Sequence, residues 1–167
     1  MALSQWALFR ADAVFAGIWG FSTLDTQSVI TPESMVEQIR SYSEPAVEAY
    51  ELFAAIDYVF PPAAGLLLSA TTLWLIRRSN RATSWSVPEW IALLCLLPVM
   101  FDYVENIFLA FAVITEGAFA AVTGALVGKA LKLASLAVSS ALLPLTAMYA
   151  LVVIVSRLLR RNAPEKR

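Results

Sequence analysis

Apolar residues in this chain come in long unbroken runs rather than in the short alternations of a water-soluble fold. Three runs, at 52–76, 90–114 and 131–156, each exceed the roughly 20 residues needed to cross a hydrocarbon core of about 30 Å. A fourth, beginning at Trp6 and continuing toward Ile30, is interrupted by Arg10 and Asp12. It still reads as a span over 6–28, because residues 13–21 are apolar and Trp6 and Trp19 suit the two interfaces. Arg10 and Asp12 are expected at the inner interface. The pattern therefore predicts an all-α protein: a single integral membrane domain over 1–167, built as a four-helix transmembrane bundle. Between the first two spans, Thr31-Pro32-Glu33 has the form of a helix start, with a capping hydroxyl, proline at the first position and an acid beside it. Met35, Ile39 and Tyr42 then recur at helical spacing, predicting a short amphipathic helix in that loop, laid on the bilayer or on the bundle. Glu44-Pro45 predicts a further helix that runs into the second span. The Gly- and Ala-rich segment 115–128 reads as a short connection, which makes Gly124-x-x-x-Gly128 a poor dimer motif.

Charge orients this bundle. Arg77, Arg78 and Arg81 follow the second span, and Arg157, Arg160, Arg161, Lys166 and Arg167 follow the fourth. The first loop holds Asp25, Glu33, Glu37, Glu44, Glu48 and Glu51 against Arg40 alone. Because Lys/Arg bias sets orientation, both termini are expected in the cytoplasm, and the protein in the cell inner membrane as a multi-pass chain. Trp74, Trp85 and Trp90 mark the cytoplasmic interface. The basic tail reads as a topology signal and a lipid-headgroup contact, not as a nucleic-acid site. Membrane lipids are thus the expected partners, with a larger membrane complex or a homo-oligomer as the other candidates.

Composition removes several chemistries. Histidine is absent from the 167 residues and Cys95 is the one cysteine. That excludes an internal disulfide and a thiol redox pair, and it takes away the usual haem ligand and the usual general base near neutral pH. No cofactor and no metal site is expected, and neither a phosphate loop nor a serine elbow is present. Small residues in the spans, Gly65 and Ser69 in the second and Ala134, Ala137 and Ala141 in the fourth, read as internal packing positions.

The informative residues are three carboxylates inside the spans, Asp57, Asp102 and Glu105. An acid at the bilayer centre costs about 2.5–3.5 kcal/mol on insertion scales, so each must face protein or water. Asp102 and Glu105 lie one helical turn apart with Asn106 adjoining, and Lys132 reaches their level from the start of the fourth span. The expected site is therefore Asp57, Asp102, Glu105, Asn106 and Lys132, converging in the outer half of the membrane. Pro61, Pro62 and Pro98 cannot donate to the carbonyls of Asp57, Tyr58 and Leu94, leaving them open to a cation, water or a ligand amine.

Asp-x-x-Phe-Pro at 57–61 and Asp-x-x-Glu-Asn at 102–106 resemble motifs of a group of uncharacterised small bacterial four-helix membrane proteins. That resemblance implies topology and no activity. The acidic segment Leu24-Asp25-Thr26-Gln27-Ser28-Val29, the outer loop and the proline-kinked second span are distantly similar to the EXPERA superfamily, which includes sterol isomerases. This second resemblance implies a site for sterols or cationic amphiphiles between membrane acids, although without histidine the chain departs from the isomerases. Three readings follow. First comes a carboxylate site that binds a lipid-like or cationic ligand, or conducts ions or protons. Next is an accessory or structural subunit whose acids form a polar plug. Last is a membrane-embedded enzyme using paired carboxylates as acid and base.

Overall fold

A computed structural model describes residues 2–27, 30–83 and 86–161. Expectations placed on Ser28, Val29, Trp85, Lys166 and Arg167 lie outside the described residues, as do the side chains of Arg160 and Arg161. Among the described residues all regular structure is helical: α1 (Ala2–Trp19), α2 (Pro32–Arg40), α3 (Glu44–Asp57), α4 (Phe60–Asn80), a 3-10 helix (Glu89–Leu96), α5 (Leu97–Ile114) and α6 (Phe119–Arg161). Three stretches are long and apolar enough to cross a membrane, namely Glu44–Asn80, Glu89–Ile114 and Phe119–Leu159.

The expected first span is shorter than its apolar run. Helix α1 has 18 residues, about 27 Å at 1.5 Å per residue, and it is not one of the three stretches. It stops where Gly20 takes φ 93° and donates to Ala16 O. A residue with no Cβ adopts that left-handed geometry without strain. The chain then folds back, and the C-terminal end of α1 meets the start of α3. There Phe15 packs edge-on to Tyr42 and Tyr50, with ring centroids 5.5 and 6.0 Å away.

Helix α2 forms as its sequence predicts. Thr31 caps it and accepts from Ser34 N, and the Ser34 hydroxyl accepts from Thr31 N in return. Its apolar stripe lies on the bundle: Met35 and Ile39 are buried in one core with Phe15, Leu24, Leu109 and Val122. Helix α3 passes into α4 through a break at Tyr58 and Val59, just ahead of Pro61 and Pro62. The third expected span starts as 3-10 rather than α-helix, ahead of Pro98.

The segment 115–128 is the largest departure from the sequence reading. Its connection is only four residues long, with Glu116 and Gly117 at positive φ (52° and 84°), and from Phe119 onward it is helix. Helix α6 runs 43 residues, about 64 Å or twice a hydrocarbon core. Gly124 and Gly128 lie in its first turns and form the groove that receives α5. A Cβ at Gly128 would stand 2.9 Å from the backbone N and Cα of Glu105, and one at Gly124 would enter the Phe108 ring. Small residues buy close approach where lipid supplies no hydrophobic drive. Farther along α6 the buried positions include Ser135, Ser139, Thr146, Ala150 and Val153, while Ala134, Ala137 and Ala141 are exposed, so these three alanines are not on the internal packing face. The expectation for Gly65 and Ser69 is met, since both are buried against the 3-10 helix and α5.

The glycine groove gives a direct test. Gly128→Ala should lower the unfolding midpoint in detergent despite alanine's better helix propensity, because overpacking costs about 1–3 kcal/mol. Gly17→Ala, with nothing within 4 Å of its added carbon, should hold or raise it. Equal responses of the two variants would show that α5 and α6 do not touch there.

Candidate functional site

Lys132 is the centre of the site. Its Nζ lies 2.6 Å from Asp25 Oδ1, 3.0 Å from Asp102 Oδ1 and 2.5 Å from Glu105 Oε2. The first two are hydrogen bonds; the approach to Glu105 is off the bonding angle and acts as a charge contact. All four side chains are largely buried, Glu105 to 2% exposure. Asp102 leads on to Asn106, whose Nδ2 donates to Asp57 Oδ2 at 2.8 Å and to Asp102 Oδ2 at 3.4 Å. The five residues singled out in the sequence thus form one connected network across the end of α3, the middle of α5 and the first third of α6.

Helix periodicity explains the α5 contribution. Asp102, Glu105, Asn106, Leu109 and Ala112 recur at i, i+3, i+4, i+7 and i+10, and all are buried. Gly128 brings the α5 backbone at Glu105 against α6, and Lys132 stands one turn further along α6 on the same side. A bulkier residue at 128 would hold the ammonium off the acids.

Two members escaped the sequence reading. Asp25 was counted among the acids of the outer loop, yet it is tucked against Lys132. It is delivered there by Asp12, whose Oδ1 accepts from Thr23 N at 2.7 Å and Thr23 Oγ1 at 2.9 Å, folding the turn back along α1. Asp12 therefore belongs to the turn that carries Asp25, while Arg10 lies over the Trp6 ring. Lys129 is the second. Its Nζ donates to the carbonyls of Leu24, Asp25 and Gln27 at 3.0, 2.7 and 2.6 Å, so it holds the same turn by its backbone. The available signal was the spacing of Lys129 and Lys132, which puts both ammonium groups on one face of a helix.

Two of the three proline-freed carbonyls are not open. Tyr58 O accepts from Tyr103 Oη at 2.9 Å, and Leu94 O from Ser139 Oγ at 3.1 Å. Helix α5 supplies the donor at Tyr58 O, Leu97 N and helix α6 supply donors at Leu94 O, and the expected ligand amine has no vacancy at either place.

Four carboxylates, Asp25, Asp57, Asp102 and Glu105, face two ammonium groups. Oxygens of Asp25, Asp102 and Glu105 lie within 4.8 Å of one another, a spacing that suits a metal ion, but Lys132 Nζ already stands among them as a resident cation. Burial raises the pKa of Asp25, and the Lys132 charge and hydrogen bond outweigh it, holding the carboxyl below its ordinary 3.8. The Asp25 contact therefore stabilises the fold above that pH and weakens as the pH falls through the depressed value.

Comparison of the chain with protein-family models, with curated proteins and with solved structures finds no match in any of them. The two resemblances rest on their residues alone.

Removing the central charge should be costly. Lys132→Met leaves three acids facing one another, and loss of one partner from a buried ion cluster costs about 3–5 kcal/mol. Adding Glu105→Gln should recover part of that loss, read as a rise in unfolding midpoint over the single variant. Equal midpoints for Lys132→Met and the parent would mean that the ammonium is not what joins these helices.

Proposed function

We propose that this is a multi-pass membrane protein whose buried carboxylate cluster takes up and releases a small cation, in the first place a proton. The observation that carries the reading is the crowding of three carboxylates on the single ammonium of Lys132, with Asp57 added through Asn106. Like charges at such distances in a dry site favour sharing a proton over full ionisation. An amphiphile's amine fits less well, because Lys132 holds the place it would occupy. In this reading α1 is a fourth crossing, with Trp6, Phe9, Val14 and Ile18 exposed toward lipid. Both termini then lie on the cytoplasmic side with Arg77, Arg78, Arg81 and Arg157, and the cell inner membrane is the host.

A structural staple is the second reading, favoured by the pairing of Lys132 with three acids and by the hydroxyls that cap Tyr58 O and Leu94 O. Here the chain is an accessory subunit of a larger membrane complex.

The two readings separate in liposomes that carry an internal pH dye and an imposed potassium diffusion potential. The parent should pass protons, and Asp25→Asn and Glu105→Gln should abolish the signal. Glu105→Gln should keep the parent's unfolding midpoint, since it removes one of several crowded negative charges, while Asp25→Asn should lower it, since the ionised Asp25 contact stabilises the fold. A parent no more permeable to protons than empty liposomes would decide for the staple.

Topology is checked separately. In a Cys95→Ala background, Ser43→Cys should react with impermeant maleimide added from the outer side. Reaction from the cytoplasmic side alone would reverse the orientation.

A further inference from the structure

A second polar concentration lies at the other end of the bundle, where nothing in the carboxylate site reaches. The last turns of α4 and the later part of α6 enclose a cleft of about 530 Å³, within the ~300–1,000 Å³ typical of small-ligand sites. Four guanidinium groups line it, those of Arg77, Arg78, Arg81 and Arg157, and no carboxylate does among the described residues. Trp74, Val153 and Ile154 form its apolar side.

Three of the four arginines are placed by different partners. Arg77 is held by Glu89 at 2.9 Å. The Arg78 guanidinium lies 5.5 Å from the centre of the Trp74 ring. Arg157 donates to Ala82 O and Arg81 O at 2.8 and 3.1 Å, so it ties α6 to the end of α4 while keeping its charge at the cleft. The side chain of Arg81 has no partner among the described residues. Ser79 adds an independent observation: it lines the cleft, is only 2% exposed, and its Oγ has no hydrogen-bond partner. An orphaned buried hydroxyl is rare, and it requires a partner that the chain does not supply.

We infer that this cleft binds a phosphate group, with the guanidinium groups and the Ser79 hydroxyl donating to its oxygens. Guanidinium matches phosphate geometry in paired hydrogen bonds, and a basic pocket between membrane helices suits a phospholipid headgroup. The apolar side suits the chains that such a headgroup carries. The same donors would take free phosphate, so the test separates the two sources.

Native mass spectrometry of the full chain released from detergent reads this directly. After delipidation, dioleoyl-phosphatidylglycerol, dioleoyl-phosphatidylcholine and inorganic phosphate are each added alone. Phosphatidylglycerol should be retained one per chain, and phosphatidylcholine, whose choline offsets the phosphate charge, should not. Arg81→Gln and Arg78→Gln should each weaken retention roughly fivefold, the worth of one basic residue near a charged headgroup. Ser79→Ala should weaken it while leaving the unfolding midpoint in place, because that hydroxyl bonds nothing in the protein. Retention of inorganic phosphate as strong as that of phosphatidylglycerol, with the same loss in the arginine variants, would assign the cleft to a soluble anion. Equal retention of the two lipids, or arginine variants that bind like the parent, would overturn the proposal.

Discussion

A single ammonium group joins the parts of this protein that have no other reason to meet. Lys132 on α6 touches an acid from the turn after α1 and two acids from α5, and through Asp102 and Asn106 it reaches the end of α3. The constraint behind it is solvation. Acids within apolar helices are tolerated only when they face one another and a counter-charge, because each one turned to lipid costs about 2.5–3.5 kcal/mol. That requirement fixes the rotation of α5 and α6 about their own axes. It also depends on two glycines, since Gly124 and Gly128 let the α5 backbone come close enough for a lysine to span the gap. On the remaining side, Asp12, Thr23 and Lys129 fold one turn of chain inward so that Asp25 completes the cluster.

Prolines create a related problem that is solved without charge. Pro62 and Pro98 each withdraw an N–H from the helical ladder, and an unpaired carbonyl in lipid costs several kcal/mol on the order of a lost hydrogen bond or more. Tyr103 answers the first; at the second, Leu97 N closes a 3-10 turn on Leu94 O and Ser139 adds a further donor. The hydroxyls are on the elements that pack beside each break, so the kinks and the helix contacts stabilise one another. This explains why position 139 on α6 is a buried serine where a small-residue reading would choose alanine.

Residues whose role is set by local rules were legible in the sequence, and residues placed by tertiary folding were not. The start of α2 could be read from Thr31-Pro32-Glu33, because a cap acts within one turn. Asp57, Asp102 and Glu105 stood out because acids are costly in apolar runs, and their separation on α5 predicted a shared face. Asp25 stood among loop acids that water would solvate, and only the reversal at Gly20, pinned by Asp12, carries it inward. The first turns of α6 were obscured by their composition. Glycine is a poor helix former in isolation, and the groove that makes Gly124 and Gly128 useful exists only once α5 fills it. The alanines at 134, 137 and 141 differ from the buried serines at 135 and 139 by one or two positions, a phase that apolar periodicity does not resolve in a helix exposed to lipid.

On the proton reading, the central lysine restricts what the cluster can exchange. A metal ion or a ligand amine would have to displace an ammonium tethered to α6, hydrogen-bonded to two acids and in charge contact with a third, and the displaced charge would have to be accommodated nearby. Lys129 leaves little room for that, since its own charge lies one turn away and its three donors are engaged by the carbonyls of the Asp25 turn. A proton needs no vacancy. It adds to an oxygen already in place, lowers the excess of negative charge and loosens the hold of Lys132 on that acid alone. Of the three acids on Lys132, only Asp25 rides on a turn rather than on a helix, and Asp12 and Lys129 hold that turn in place, so the cluster keeps its geometry as its charge changes.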